Sequence, residues 1–261
     1  MTNKTVTSRL HRANRTATVA ALAAVTIVAW LLTMQVASTM RASSASMENG
    51  MGTATPWTSQ HLWLVSAMWA AMMVGMMVPS ATPMVVAFTA WASRGDKRGN
   101  QPFAVAWFVA GYLIVWVGFS LVAASIQVTL EWAGVLSGMG VISRPVLAGT
   151  VLVLAGAFQV SPWKESCLRS CRTPVGFLIS EWRDGPKGAA IMGIRHGLYC
   201  LGCCWALMAV LFVVGTMSLV WMAIVAGFVL VEKIAPPWTR TRYLAAASLV
   251  AWGVWTIAST L

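Results

Sequence analysis

A polytopic bundle of membrane-spanning helices, all-α, is the fold class this sequence predicts. Three observations carry it. Hydrophobic residues make up 58% of the 261 residues and charged residues only 10%, where a soluble domain carries about 25% charged. Acidic side chains number 7 in all. The apolar residues also fall into runs of roughly 20, the length that crosses a hydrocarbon core. Together these exclude a soluble globular enzyme, a disordered chain and a secreted disulfide scaffold.

About seven runs are expected to span. The first, roughly 16–40, follows a basic tail at 1–15. That run also has features of a signal peptide, but its apolar core exceeds the usual 7–15 residues, so it reads as a span. The second, roughly 62–91, is long enough to tilt, and Pro79 and Pro83 are expected to bend it. The third, roughly 102–130, begins at a helix-compatible Pro102. The fourth covers roughly 145–160, the fifth 188–214, the sixth 217–234 and the seventh 243–261. Between the fourth and fifth lies a connection, 161–187. There Ser161-Pro162 reads as an N-cap followed by proline at the first helical position, and Pro174 is expected to end that short helix.

The charges test this parse. Lys4, Arg9, Arg12, Arg15, Arg94, Lys97, Arg98, Lys164, Arg169, Arg172, Arg183, Lys187, Lys233, Arg240 and Arg242 fall on one side; Arg41 and Arg144 fall on the other. The basic side is cytoplasmic by the positive-inside rule, which places the N-terminus in the cytoplasm and the C-terminus outside. The formal net charge of +11 is thereby spent on orientation. No run is long and basic enough to act as a nucleic-acid arm. Two charges fall inside runs, Arg195 in the fifth and Glu232 near the end of the sixth. Charges at such depth are usually paired, so an Arg195–Glu232 ion pair is expected.

Sulfur dominates the remaining chemistry. All 5 cysteines lie between 167 and 204. In the fifth run Met192, His196, Cys200, Cys203 and Cys204 fall within about 120° of one helix face. Ile194, Leu198, Leu201, Trp205 and Phe212 form the opposite, lipid-suited face. Gly193 and Gly197 flank the cysteines, and small residues let a neighbouring helix come close. Cys167 and Cys171, four apart on the connection helix, stack on one face. Thiolates and imidazole are the ligands of soft or borderline ions: Cu(I) first, with Zn(II) as the alternative. The second run carries Met68, Met72, Met73, Met76, Met77 and Met84. Met68, Met72 and Met76 make a stripe whose neutral thioethers suit Cu(I) in a membrane interior, although methionine also serves as flexible packing. At about 1.5 Å per residue, Met72–Met77 and Cys200–Cys204 come to similar depths, near the midplane. Met47, Met51 and His61 sit at the outer end and Cys167 and Cys171 at the inner end, so a sulfur ladder across the membrane is expected.

Three blocks resemble a bacterial family of unknown function described as predicted metal-binding integral membrane proteins. They are Met72–Met84, the Ser161-Pro162-Trp163-Lys164 segment leading to Cys167, Cys171 and Pro174, and Gly197–Trp205 followed by Glu232-Lys233. The resemblance covers roughly 60–237 and implies a membrane location and a bound metal, with no established reaction. The function expected is binding of a soft transition metal, copper above all, for transport or delivery. Cys200, Cys203, Cys204 and His196 would hold it, Cys167 and Cys171 would form a cytoplasmic relay, and Met72 and Met76 a path. The partners expected are the lipid bilayer, the ion, and a metal chaperone or partner membrane protein. No catalytic residue is assigned, and no nucleotide-binding motif for an ATP-driven pump is present. The alternative is a thiol–disulfide oxidoreductase using Cys200 and Cys203.

Overall fold

The computed structural model describes residues 2–48, 59–92, 101–137, 140–235 and 240–260. Met51, Trp57, Arg94, Lys97, Arg98 and Trp238 lie outside them, and the side chains of residues 2–12 and of Met47 are likewise outside the described set. Among the described residues the chain forms α1 (Thr2–Glu48), α2 (Ser59–Ala92), α3 (Gln101–Trp132), α4 (Pro145–Gln159), α5 (Pro162–Arg172), α6 (Pro174–Glu181), α7 (Gly185–Val214), α8 (Leu219–Ile234) and α9 (Thr241–Ala258). Every apolar run is helical. The basic tail is not separate from the first run: α1 continues through it.

Among the described residues four helical stretches are long and apolar enough to cross a membrane: Ala13–Thr39, Ser59–Ala92, Pro102–Trp132 and Gly185–Val214. A fifth appears if α4 and α5, bent 60° at their break, count as one broken span. The expected seven is therefore not reached by length and composition. With 15 and 16 residues, α4 and α8 measure only about 22–24 Å at 1.5 Å per residue. That is short of the ~30 Å of a hydrocarbon core. Large apolar side chains face outward on many helices, among them Ile27, Ile114, Leu154, Leu198, Val220, Leu244 and Trp255.

Local chemistry sets the element ends. Ser161 caps α5, its side-chain oxygen accepting from Lys164 N at 3.2 Å, with Pro162 in the first turn. Replacing Ser161 by Ala is expected to cost about 1 kcal/mol. It should show as a lower unfolding temperature and faster proteolysis near residue 162. Pro174 begins α6 instead of merely closing α5. A proline lacks the N–H that a first turn leaves unpaired anyway, so it stops one helix and starts the next equally well. At the far end of α7, Gly215 takes φ +102°, a left-handed backbone that glycine adopts without steric cost.

Close packing positions the interior. α3 runs along α7, α1 and α3 along α2, and α4 along α9. The α3–α7 approach is possible because a Cβ on Gly193 would stand 2.0 Å from the Phe108 carbonyl oxygen, and one on Gly111 2.2 Å from that of Ala190. The neighbour that Gly193 and Gly197 are expected to admit is therefore α3. Both prolines of α2 stand inside a continuous helix. They remove the N–H groups that would bond the carbonyls of Gly75 and Pro79. Nearby, the Met77 carbonyl receives hydroxyl donors from Ser80 (2.9 Å) and Tyr112 (3.1 Å).

Candidate functional site

The central core joins α2, α3, α5, α7 and α8. It contains Met68, Met72, Met73, Met76 and Met77 together with Cys171, Cys200, Cys203 and Cys204, all buried. Thioethers of the second run and thiols of the fifth thus share one interior. The opposite face of α7 turns out as expected at Leu198 and Trp205, which are exposed, while Ile194, Leu201 and Phe212 are half-buried.

The thiols touch one another. Cys203 and Cys204 each donate to the Cys200 carbonyl oxygen at 3.0 Å. The Cys204 sulfur lies within side-chain reach of Cys200 and Cys203, and that of Cys203 within reach of Cys171. The connection helix therefore brings its second cysteine into the α7 set. Cys167 is half-buried, and its Sγ lies so close over Gly202 that a Cβ there would be 2.7 Å away. This leaves one sulfur at the rim of the buried group. Cys203 and Cys204 turn their thiols to the backbone, and among the described residues no three His, Cys, Asp or Glu side chains stand in a metal-holding arrangement.

His196 is buried between aromatic rings, with Tyr112 5.7 Å, Phe177 5.6 Å and Phe108 6.1 Å away between centroids. Its Nδ1 is buried without a hydrogen-bond partner. A native interior seldom leaves such an atom unpaired without a reason. When the ring proton sits on Nε2, this nitrogen offers a lone pair to an ion.

Two polar neighbours of the cysteines escape the sequence reading. Lys233 Nζ lies 2.9 Å from Cys200 Sγ and donates to Ser80 Oγ at 2.8 Å. The Tyr112 hydroxyl is 3.1 Å from the same sulfur. Cys200 is thus the meeting point of α2, α3, α7 and α8. Lys233 passes for one more loop cation by its place in the chain, yet it is 7% exposed. Its one sequence signal is its position beside Glu232 at the end of an apolar run.

The expected Arg195–Glu232 pair does not form. Arg195 pairs with Glu181 of α6. Glu232 pairs with Lys164 of α5, whose Nζ is 2.6 Å and 2.9 Å from the two carboxylate oxygens. Lys164 also donates to Gln159, and Arg172 Nε donates to the Glu232 carbonyl oxygen at 2.7 Å. The reason is azimuthal. Arg195 lies on the half-exposed side of α7, near the surface helix α6. The bend between α4 and α5 folds Lys164 inward to reach α8. Every glutamate whose side chain is described has a basic partner, since Glu165 pairs with Arg242 and Glu131 with His61.

Residues 66–256 match the model of a family described as "PpoB2: Copper chaperone". The chain belongs to this family. The match spans α2 to α9 and takes in all the cysteines, His196, the Met72–Met84 block and the buried Lys164–Glu232 pair. This copper-chaperone family agrees with the expectation of a metal-related family, and its description is consistent with copper. No curated protein and no solved structure matches the chain.

Proposed function

We infer that this protein is a membrane-embedded copper carrier, taking up Cu(I) as cargo among its interior sulfur groups and handing it to a partner. One observation carries the reading: four thiols, Cys171, Cys200, Cys203 and Cys204, follow one another as neighbours inside the core that holds the methionine stripe, in a chain of a copper-chaperone family. Thiolate and thioether are the donors that favour Cu(I) over harder ions. In this reading Cys200, Cys203 and Cys204 hold the ion with Cys171. His196 supplies an imidazole nitrogen from the same helix face. Met72 and Met76 form the soft approach, and the half-buried Cys167 is the point of release. The hydrogen bonds that Cys203 and Cys204 make to the Cys200 carbonyl are exchanged for bonds to the ion, and the thiol protons leave as it binds.

Lys233 has a part in this. A Cu(I) ion bound by three thiolates carries net negative charge, and an ammonium 2.9 Å from Cys200 offsets it in a medium where bare charge is costly. Membrane embedding is supported by the outward apolar faces of the helices and by the one-sided distribution of loop cations. The N-terminus is then cytoplasmic, and release through Cys167 takes place on that side, to a soluble metal chaperone or a membrane partner.

The test is anaerobic reconstitution of the reduced full-length protein with Cu(I), followed by metal analysis and X-ray absorption. Stoichiometric copper with a sulfur-dominated shell is expected. Cys200→Ser with Cys203→Ser should weaken binding by roughly tenfold or more, at least the loss that removing a supporting contact of a metal site brings. A wild-type protein that stays copper-free, or whose Cys200–Cys203 pair cycles between thiol and disulfide without metal, overturns the reading.

A further inference from the structure

At the opposite end of α2 from the cysteines, His61 Nε2 and Glu131 Oε2 stand 3.0 Å apart. Glu131 does not hang free. Its other oxygen accepts from Gln127 Nε2 at 2.8 Å, and Gln127 Oε1 accepts from Trp69 Nε1 at 2.7 Å. Trp69 is fully buried and Gln127 is buried. A relay anchored in the core therefore holds the carboxylate, in the way outer partners orient metal-binding carboxylates. The pair is reachable: the His61 side chain is 30% exposed and that of Glu131 14%.

The geometry points to a second metal site here, formed by His61 and Glu131, that takes a divalent first-row transition-metal ion such as Cu(II). Three features support it. First, imidazole nitrogen plus carboxylate oxygen is a borderline-to-hard donor set, distinct from the sulfur set in the core and suited to a divalent ion. Second, the spacing fits. Two ligands at about 2.0–2.1 Å from one ion and at right angles are about 2.9 Å apart, close to the separation seen. An ion seated off the N···O line replaces the proton the two atoms now share, and waters complete its shell. Third, the placement is directional. Residues 61, 65, 68, 72 and 76 lie within about 80° of one another around a helix of 100° per residue. His61 therefore heads the face that carries Met68, Met72 and Met76. The site is independent of the thiol cluster and stands or falls without it.

The experiment uses Cu(II) itself as probe. The full-length protein is first saturated with Ag(I), a soft ion that occupies thiols and does no redox chemistry with them, and is then titrated with Cu(II) under electron paramagnetic resonance. A parallel titration in the chain with all five cysteines replaced by serine keeps the result readable whether or not silver fills the core. One Cu(II) signal with coupling to a single imidazole is expected. His61→Ala should abolish that coupling and His11→Ala should leave it. Glu131→Gln, which retains the acceptor for Gln127, should weaken binding about 10- to 100-fold. Imidazole-coupled Cu(II) that persists in His61→Ala, or an affinity unchanged in Glu131→Gln, overturns the proposal. Loss of Cu(I) binding in the core with this signal intact would count against the carrier reading alone.

Discussion

Lys164→Met should destabilise the protein by about 3–5 kcal/mol, as should Glu232→Leu, because each leaves the other charge buried without its partner. Both side chains are almost completely enclosed, at 1% and 2% exposure. Joining the two substitutions should restore most of the loss, since replacing a buried ion pair by apolar groups of similar volume is often close to neutral. Thermal unfolding in detergent, read as a full cycle of wild type, two single variants and the double, measures the coupling directly. Two singles that each lose little, or a double as unstable as the singles combined, would refute the pairing. The same cycle on Arg195 and Glu181 should give far less. Arg195 is 43% exposed, and pairs open to solvent contribute roughly 0–1 kcal/mol.

Gly193→Leu is the second large effect. The first carbon of any side chain at this position would meet the Phe108 carbonyl oxygen at 2.0 Å. That oxygen belongs to the α3 backbone and cannot rotate away as a side-chain tip can. The two helices have to separate, and overpacking of this kind costs about 1–3 kcal/mol, more where backbone must move. Parting α3 from α7 also carries Tyr112 away from Cys200. Gly193→Leu should therefore lower both the unfolding temperature and the Cu(I) affinity. Gly118→Leu on the same α3, where an added carbon meets nothing within 4 Å, should change neither. A stable Gly193→Leu protein with unchanged copper affinity would show that α3 plays no part in holding the site.

Much of this was legible in the residues because hydrophobic periodicity and capping are local. The helices follow from apolar run length, and the α5 start from Ser161-Pro162. The inward sulfur face of α7 follows from the spacing of His196, Cys200, Cys203 and Cys204 beside Gly193 and Gly197. What was not legible depends on azimuth and on bends. Arg195 and Glu232 were matched by type and depth, but depth does not say which way a side chain points. Lys164 reaches Glu232 only because the chain turns 60° between α4 and α5; Ser161-Pro162 marks the break, but the angle of the turn has no local signature. Likewise, Tyr112 and Lys233 join Cys200 from 88 and 33 residues away; nothing local marks Tyr112, and Lys233 is marked only by its place beside Glu232 at the end of an apolar run. Of the seven expected spans, four or five meet the length and apolarity of a crossing helix, because run hydropathy alone does not fix how long the folded helix is.

The last turn of α8 places two adjacent residues in opposite company. Glu232 holds the surface helix α5 through Lys164, while Lys233 rests on Cys200. One peptide bond on a rigid rod separates them, about 100° apart in direction. In the carrier reading, a cargo ion that draws the ammonium in to balance its thiolates would load that rod, and the same turn holds the carboxylate to its lysine. The rim sulfur on α5 would then register whether the interior is full. By reciprocity, a partner that grips α5 would alter how tightly the interior keeps its load.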